Sequence, residues 1–288
     1  MKIISEIGCN HKGDFELAKK MIKTAINYCG VDIVKFQKRS PRKLLSKKEF
    51  ESPHPNLRNS YGKTYGEHRE FLEFSYNQHA ELKNLCESEG GIYSCSVWDI
   101  QSAIEISDLN PQMIKIPSAI NTNFVVLDRL CRFYKGEIHI SLGMTTDKEE
   151  KEIIQFLEKH NRLKDIVLYA CVSDYPVSPD NIYLLELSRL KKLYEGKIKA
   201  FGYSGHHTGI SVDLFIQNSH VDYIERHFTF DRFWKGTDHI ASLEPHEFYR
   251  LKDNLEKIKK ACKMRPKDVV DCELEQRKKL KKIVKLDN

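Results

Sequence analysis

Two histidines end successive apolar runs of this chain. His206 ends one, and His227 sits at the end of the next, Val221-Asp222-Tyr223-Ile224-Glu225-Arg226-His227-Phe228, with Glu225 two positions ahead of it. Both runs read as β-strands, and strand tips are where parallel α/β enzymes keep their chemistry. A single histidine at such a tip is ordinarily a hydrogen-bonded structural residue. Two on consecutive strands beside a carboxylate make a candidate metal site. Imidazole and carboxylate donors suit Mn²⁺, Fe²⁺, Co²⁺, Zn²⁺ or Mg²⁺ rather than a thiolate-seeking ion.

The other apolar runs also end in polar residues: Glu6, then Lys35 with Gln37, Ser96, Lys115 with Ser118, Ser141, and Ser173 with Tyr175. Lysines at the ends of buried strands require a partner, because an unpaired buried ammonium is strongly destabilising. That partner is either an anionic ligand or a carboxylate such as Glu6 or Glu225, in which case the pairing is structural. Two lysines with the hydroxyls of Ser118 and Ser141 suit phosphate and carboxylate oxygens. Gly143 would let backbone amides approach the same anion. A metal beside an anion pocket predicts a metal-assisted carbonyl reaction with a phosphate-bearing substrate.

These residues need a scaffold that brings strand ends together. Strands are predicted at Lys2–Cys9, Val31–Gln37, Gly91–Val97, Gln112–Pro117, Glu137–Leu142, Asp165–Val172, Lys197–Ser204 and Val221–Phe228. Helical periodicity falls between them at Phe15–Cys29, Tyr76–Glu89, Ile100–Ser107, Asn123–Phe133, Lys148–His160, Ile182–Tyr194 and Ile210–Asn218, then at Pro245–Cys262. Alternating strands and helices imply parallel βαβ units. Eight of them, without an early G-x-G-x-x-G turn, predict a (β/α)8 TIM barrel over residues 1–262, followed by a basic helical tail at 263–288. The connection from Arg39 to Phe74 is too long for an ordinary loop and is expected to be a lid or binding segment.

Composition narrows the function classes. At 40% hydrophobic and 31% charged residues, the 288-residue chain can fill a barrel core, and no apolar run reaches the ~18 residues of a membrane span. The early Glu6 rules out a signal-peptide core, so a cytoplasmic protein is expected. The 8 cysteines contain no C-x-x-C pair, which fits reduced, packed thiols. Net charge is +6, but residues 262–288 hold nine Lys/Arg against five Asp/Glu, so +4 of it belongs to the tail. The nearly balanced body lacks a basic stripe, and nucleic-acid binding is not expected.

Taken in order, the motifs resemble the sialic acid synthase (N-acetylneuraminate synthase) family from Ile4 to Leu251. They are Ser5-Glu6-Ile7-Gly8-Cys9-Asn10-His11, Val34-Lys35-Phe36-Gln37, Thr64-Tyr65-Gly66-Glu67-His68-Arg69, Lys115-Ile116-Pro117-Ser118 and Ser141-Leu142-Gly143-Met144. Tyr175-Pro176, Gly202-Tyr203-Ser204-Gly205-His206, Glu225-Arg226-His227-Phe228-Thr229 and Gly236-Thr237-Asp238-His239 complete the set. The resemblance implies condensation of phosphoenolpyruvate with an open-chain amino sugar, giving a nonulosonic 2-keto acid and phosphate. By motif, His206 and His227 would hold a divalent metal, Mn²⁺ with Mg²⁺ or Co²⁺ as alternatives. Lys35, Gln37, Ser96, Lys115, Ser118, Ser141 and Ser173 would bind phosphoenolpyruvate. Asp238 and Tyr175 would bind the sugar, and Glu6, Glu225 and Tyr175 would be catalytic.

Three departures fall within this pattern. The family's C-terminal antifreeze-like domain, which lends an arginine to a neighbouring subunit's sugar site, has no counterpart up to Asn288. The resemblance implies a homodimer, although without the family's contact through that domain, and the sugar site either takes a differently substituted sugar or is completed by a separate partner protein. Ile120 stands where the family has a glutamate, which removes a sugar contact, and His207 follows His206, so either could be the ligand. The alternatives are a related synthase for another aldose or a diacetamido sugar, and a non-catalytic barrel subunit.

Overall fold

The computed structural model describes residues 1–219, 221–266 and 268–282. Eight parallel strands close into a barrel in chain order. They are β1 Lys2–Gly8, β2 Ile33–Lys38, β3 Ile92–Val97, β4 Met113–Ile116, β5 Glu137–Ser141, β6 Ile166–Cys171, β7 Ala200–Gly205 and β8 Tyr223–His227. This is the (β/α)8 architecture expected from the alternation, with helices packed outside the strands. Each strand is buried on both faces, which is why the sequence shows apolar runs rather than strict alternation. Ile4, Ile33, Met113, Val167, Tyr169, Ala200 and Tyr223 fill the lower interior. Full burial of an isoleucine such as Ile33 contributes about 1.5–3 kcal/mol.

Caps fix where the helices begin. Asp14 accepts from the Leu17 amide at the start of Phe15–Lys23, and Ser75 and Thr146 form capping boxes with Gln78 and Glu149. Each cap is worth about 1 kcal/mol. The first helix does not run unbroken to Cys29, because Thr24–Tyr28 widens into a π-helical turn in which the Cys29 amide donates to the Thr24 carbonyl. The helix expected from Ile182 starts at Glu186, after a 3₁₀ turn at Pro179–Asn181.

The 39–74 segment folds into helices Pro41–Leu44, Lys47–Glu51 and Tyr65–Phe71 with a 3₁₀ turn at Leu57–Asn59. In the tail, helix Leu274–Leu280 spans seven residues, and the expected basic helix beyond Lys282 lies outside the described residues. Among the described residues no helix is long and apolar enough to cross a membrane.

Parallel pairing in this register places the polar strand ends side by side. Glu6 stands beside Lys35 on one side and His227 on the other, Ser96 beside Lys115, and Ser204 beside Glu225. The fold therefore converts residues far apart in sequence into one ring.

Candidate active site

Strand alternation decides which β8 side chains enter the barrel. Glu225 and His227 face inward. Arg226 faces outward, fully buried against Asp213, with which it forms a close ion pair. Inside, two lysines and two carboxylates form a compact cluster. Lys35 Nζ lies 2.6 Å from Glu6 Oε2 and 3.7 Å from Glu225 Oε1, and Lys115 Nζ lies 3.1 Å from Glu225 Oε2. Lys35 also donates to Ser96 Oγ at 2.8 Å, Ser204 Oγ to Glu225 at 3.0 Å, and Gln37 Nε2 to Glu6 at 2.7 Å.

Burial acts against every one of these charges, and the partners decide the outcome. Burial alone would raise Glu225, but Lys115 and Lys35 outweigh it and hold the carboxyl well below its ordinary range. For Glu6 burial prevails over Lys35, and its pKa rises. Burial likewise depresses Lys115 despite Glu225, whereas Glu225 and Glu6 together overcome it for Lys35. The two carboxylates therefore differ in proton affinity although they share a cluster.

Hydroxyl groups line the β4–β6 side. Ser118 Oγ accepts from the Gly143 amide at 3.0 Å, and Asn121 anchors the Ser141 carbonyl at 2.9 Å. A Cβ at Gly143 would come within 2.5 Å of Ser173 Oγ and 2.7 Å of Ser118 Oγ, so glycine is what lets these serines converge. The Gly143 amide is thus already committed to Ser118 and does not point free toward an anion.

The histidines occupy the β7–β8 side, with ring centroids 5.5 Å apart. His206 Nδ1 donates to the Val172 carbonyl at 2.7 Å, which leaves Nε2 with its lone pair. Burial pushes the His206 pKa down to about 3, so the ring is neutral and able to ligate. His227 Nδ1 is buried without a hydrogen-bond partner, 4.0 Å from Asp238 Oδ2. Among the described residues no three His, Cys, Asp or Glu side chains converge as a metal cluster. The neutral His206 imidazole and the orphaned His227 ring nitrogen, facing one cavity, fit a divalent ion that takes its remaining ligands from water and substrate. His207 is excluded from that role. Its ring is turned to Asp213 at 3.2 Å, Arg226 at 2.9 Å and the Tyr203 hydroxyl at 3.3 Å.

All thirteen residues singled out from the sequence line one cavity of about 270 Å³: Glu6, Lys35, Gln37, Ser96, Lys115, Ser118, Ser141, Ser173, Tyr175, His206, Glu225, His227 and Asp238. Tyr175 sits at its rim, its ring 4.1 Å from that of His206. Ile120 does not enter. It packs against the hydrophobic core, and Ala119 faces the cavity instead.

The sequence reading missed Arg39, Arg69, Trp98, Met144, Cys171, Ser204 and Thr237. Arg69, Met144, Ser204 and Thr237 lay inside motifs already noted. Arg39 just follows β2, stacks on Trp98 at 3.9 Å and lies 3.5 Å from Glu73. It and Arg69 come from the 39–74 segment, which thereby forms part of the wall.

The chain matches the model of the NeuB family over residues 21–267. It is 36% identical over 283 residues to N-acetylneuraminate-9-phosphate synthase of Homo sapiens, covering 98% of this chain and 77% of that protein. It is 31% identical over 260 residues to N,N'-diacetyllegionaminic acid synthase of Campylobacter jejuni, covering 90% and 76%. The crystal structure of N-acetylneuraminic acid synthetase from Leptospira borgpetersenii superposes with a TM-score of 0.79 at 25% identity, covering 96% and 91% of the two chains. The barrel, the inward-facing ring of strand-end residues and these likenesses converge on one conclusion: the chain belongs to the NeuB family, whose named relatives are sialic acid synthase-type enzymes.

Proposed function

We propose that the protein condenses phosphoenolpyruvate with the aldehyde of an open-chain amino sugar, giving a nonulosonic 2-keto acid and phosphate. The supporting observation is that two ammonium groups with a serine shelf share one cavity with a pair of histidines. Lys35 and Lys115, with Ser118, Ser141 and Ser173, hold the phosphate and carboxylate of phosphoenolpyruvate. Gln37 and Ser96 keep Glu6 and Lys35 in place. His206 and His227 hold a divalent ion, Mn²⁺ first, which when bound supplies polarisation of the sugar carbonyl. Asp238 and Tyr175 orient the sugar beside those histidines.

The reaction joins C3 of phosphoenolpyruvate to the aldehyde carbon, adds water at C2 and releases inorganic phosphate. Glu6, the carboxyl that burial leaves easier to protonate, is placed to exchange a proton. Glu225 keeps both lysines charged and in position. A non-catalytic subunit would gain nothing from four desolvated charges around an open cavity. The protein works as a homodimer in this reading, which sedimentation measurements can check.

The test is phosphate release from phosphoenolpyruvate with Mn²⁺ and a panel of acceptors. The panel holds mannose, N-acetylmannosamine and a diacetamido hexose, each with and without a terminal phosphate. Acceptor-dependent release, lost in His227→Ala, is the expected result. No release with any aldose would overturn the proposal.

A further inference from the structure

A polar chain runs beneath the cavity through residues to which the reaction assigns no role. Lys115 Nζ lies 3.3 Å from the centroid of the Tyr169 ring. Its ammonium is thus held between the Glu225 carboxylate and an aromatic face. The Tyr169 hydroxyl is 2.8 Å from His139 Nδ1, and His139 Nε2 is 3.1 Å from Glu137 Oε2. Tyr169 is fully buried and His139 is 2% exposed, so the bond between them is shielded from water, whereas Glu137 reaches partly into solvent.

The direction of each bond follows from the partners. Glu137 is ionised and can only accept, so His139 Nε2 carries the proton. Burial keeps His139 neutral, so Nδ1 is an acceptor and the Tyr169 hydroxyl donates to it. Donation through the hydroxyl enriches the ring in electron density, which strengthens its attraction for a cation. Room for the ring is provided by Gly202 on the neighbouring strand, where a Cβ would collide with the ring edge.

We propose that Tyr169, braced by His139 and Glu137, is a positioning residue that seats the Lys115 ammonium for anion binding. The inference rests on the reading that Lys115 binds phosphoenolpyruvate. The aromatic face attracts the cation without neutralising it. Lys115 can therefore turn from Glu225 to an incoming phosphate or carboxylate without losing its seat. A second carboxylate in the same place would instead compete with the substrate.

The test compares the full-length wild type with Tyr169→Leu and Tyr169→Phe, each checked for folding by thermal unfolding. Removing the ring should raise KM for phosphoenolpyruvate about tenfold, with KM for the acceptor changed less than about threefold. Tyr169→Phe keeps the ring face and should recover most of that loss. A substrate-free readout accompanies the kinetics. The Lys115 ε-methylene resonance, identified by its loss in Lys115→Met, should be displaced upfield by the ring current in wild type and Tyr169→Phe but not in Tyr169→Leu. An upfield signal with no turnover of phosphoenolpyruvate would defeat the proposed function and leave the seat in place. Absence of the upfield signal from the wild type, or equal changes in both KM values on removing the ring, would overturn the inference. The wild-type spectrum keeps it falsifiable even if the leucine variant does not fold.

Discussion

Lys115 on β4 and Glu225 on β8 meet at 3.1 Å across the barrel interior, although 110 residues separate them. The lysine proposed to receive an anion thus already holds a carboxylate. Its carboxylate partner also faces Lys35 and accepts from Ser204. Binding of a substrate anion is therefore an exchange within a charge cluster rather than the filling of an empty cationic pocket.

That pairing gives Lys115→Met two separable effects. Breaking one side of a buried ion pair typically costs about 3–5 kcal/mol, and because Lys35 also faces Glu225 the carboxylate here is only partly stranded, so the loss should fall toward the lower end. Loss of the charge-assisted contact to phosphoenolpyruvate should raise its KM about ten- to a hundredfold. The double variant Lys115→Met/Glu225→Gln removes the stranded charge and should regain much of the unfolding temperature while KM stays high. Thermal unfolding and steady-state kinetics on the same samples check this. Recovery of KM in the double variant would show that Lys115 serves Glu225 rather than the substrate.

Metal dependence follows from the histidine pair. Chelation should abolish turnover, and added Mn²⁺ should restore it. The electron paramagnetic resonance signal of free Mn²⁺ reports binding without any reaction. His206→Ala and His227→Ala should each weaken Mn²⁺ binding by at least about tenfold, since even losing a group that merely orients a ligand costs that much. His207→Ala should leave Mn²⁺ binding intact, because that ring faces Asp213 and Arg226. Tight Mn²⁺ binding in His227→Ala would contradict the assignment.

The strands were legible because burial on both faces leaves uninterrupted apolar runs, and each polar strand end could be read from where its run stopped. What the sequence does not contain is the closure of the barrel. The meeting of Lys115 with Glu225 and of Lys35 with Glu6 depends on register around the ring, so the choice between ligand and carboxylate partners stayed open. The choice between His206 and His207 turned on side-chain direction just past Gly205, where β7 ends. Ile120 sits in a 3₁₀ turn, Ser118–Ile120, whose tight rotation directs Ala119 rather than Ile120 to the cavity. Loss of a sugar contact at Ile120 therefore does not follow from the position of its side chain. Arg69 was hidden for a different reason: it lies on helix Tyr65–Phe71 of the 39–74 segment, which returns it to the cavity wall, whereas Arg39 directly follows β2.

Gly143 offers a test of the serine shelf that leaves every polar group in place. In Gly143→Ala the new methyl would stand 2.5 Å from Ser173 Oγ and 2.7 Å from Ser118 Oγ, so both hydroxyls must move. Overpacking of this kind costs about 1–3 kcal/mol, which a barrel of this size tolerates. The expected result is a folded protein with a raised KM for phosphoenolpyruvate and a nearly unchanged affinity for Mn²⁺. Equal loss of both would place the serines nearer the metal than proposed.

The brace beneath Lys115 has its own pH signature. Glu137 is drawn from an ordinary 4.5 down to about 2, first by its bond from His139 and then, against burial, by Lys199. A folded-state pKa below the unfolded one means that the unfolded chain binds more protons as the pH drops. The carboxylate therefore contributes stability above about 4.5 and loses it as the pH falls toward about 2. Glu137→Gln keeps the shape of the side chain and removes the titration. The wild type should unfold at a higher temperature than the variant near neutral pH. The gap should narrow steadily as the pH falls from about 4.5. Circular dichroism melts across that range measure it directly. A gap that stays constant down to the acid limit would show that Glu137 is not the ionised anchor of His139, and the hydrogen-bond directions assigned through His139 to Tyr169 would then have to be reversed.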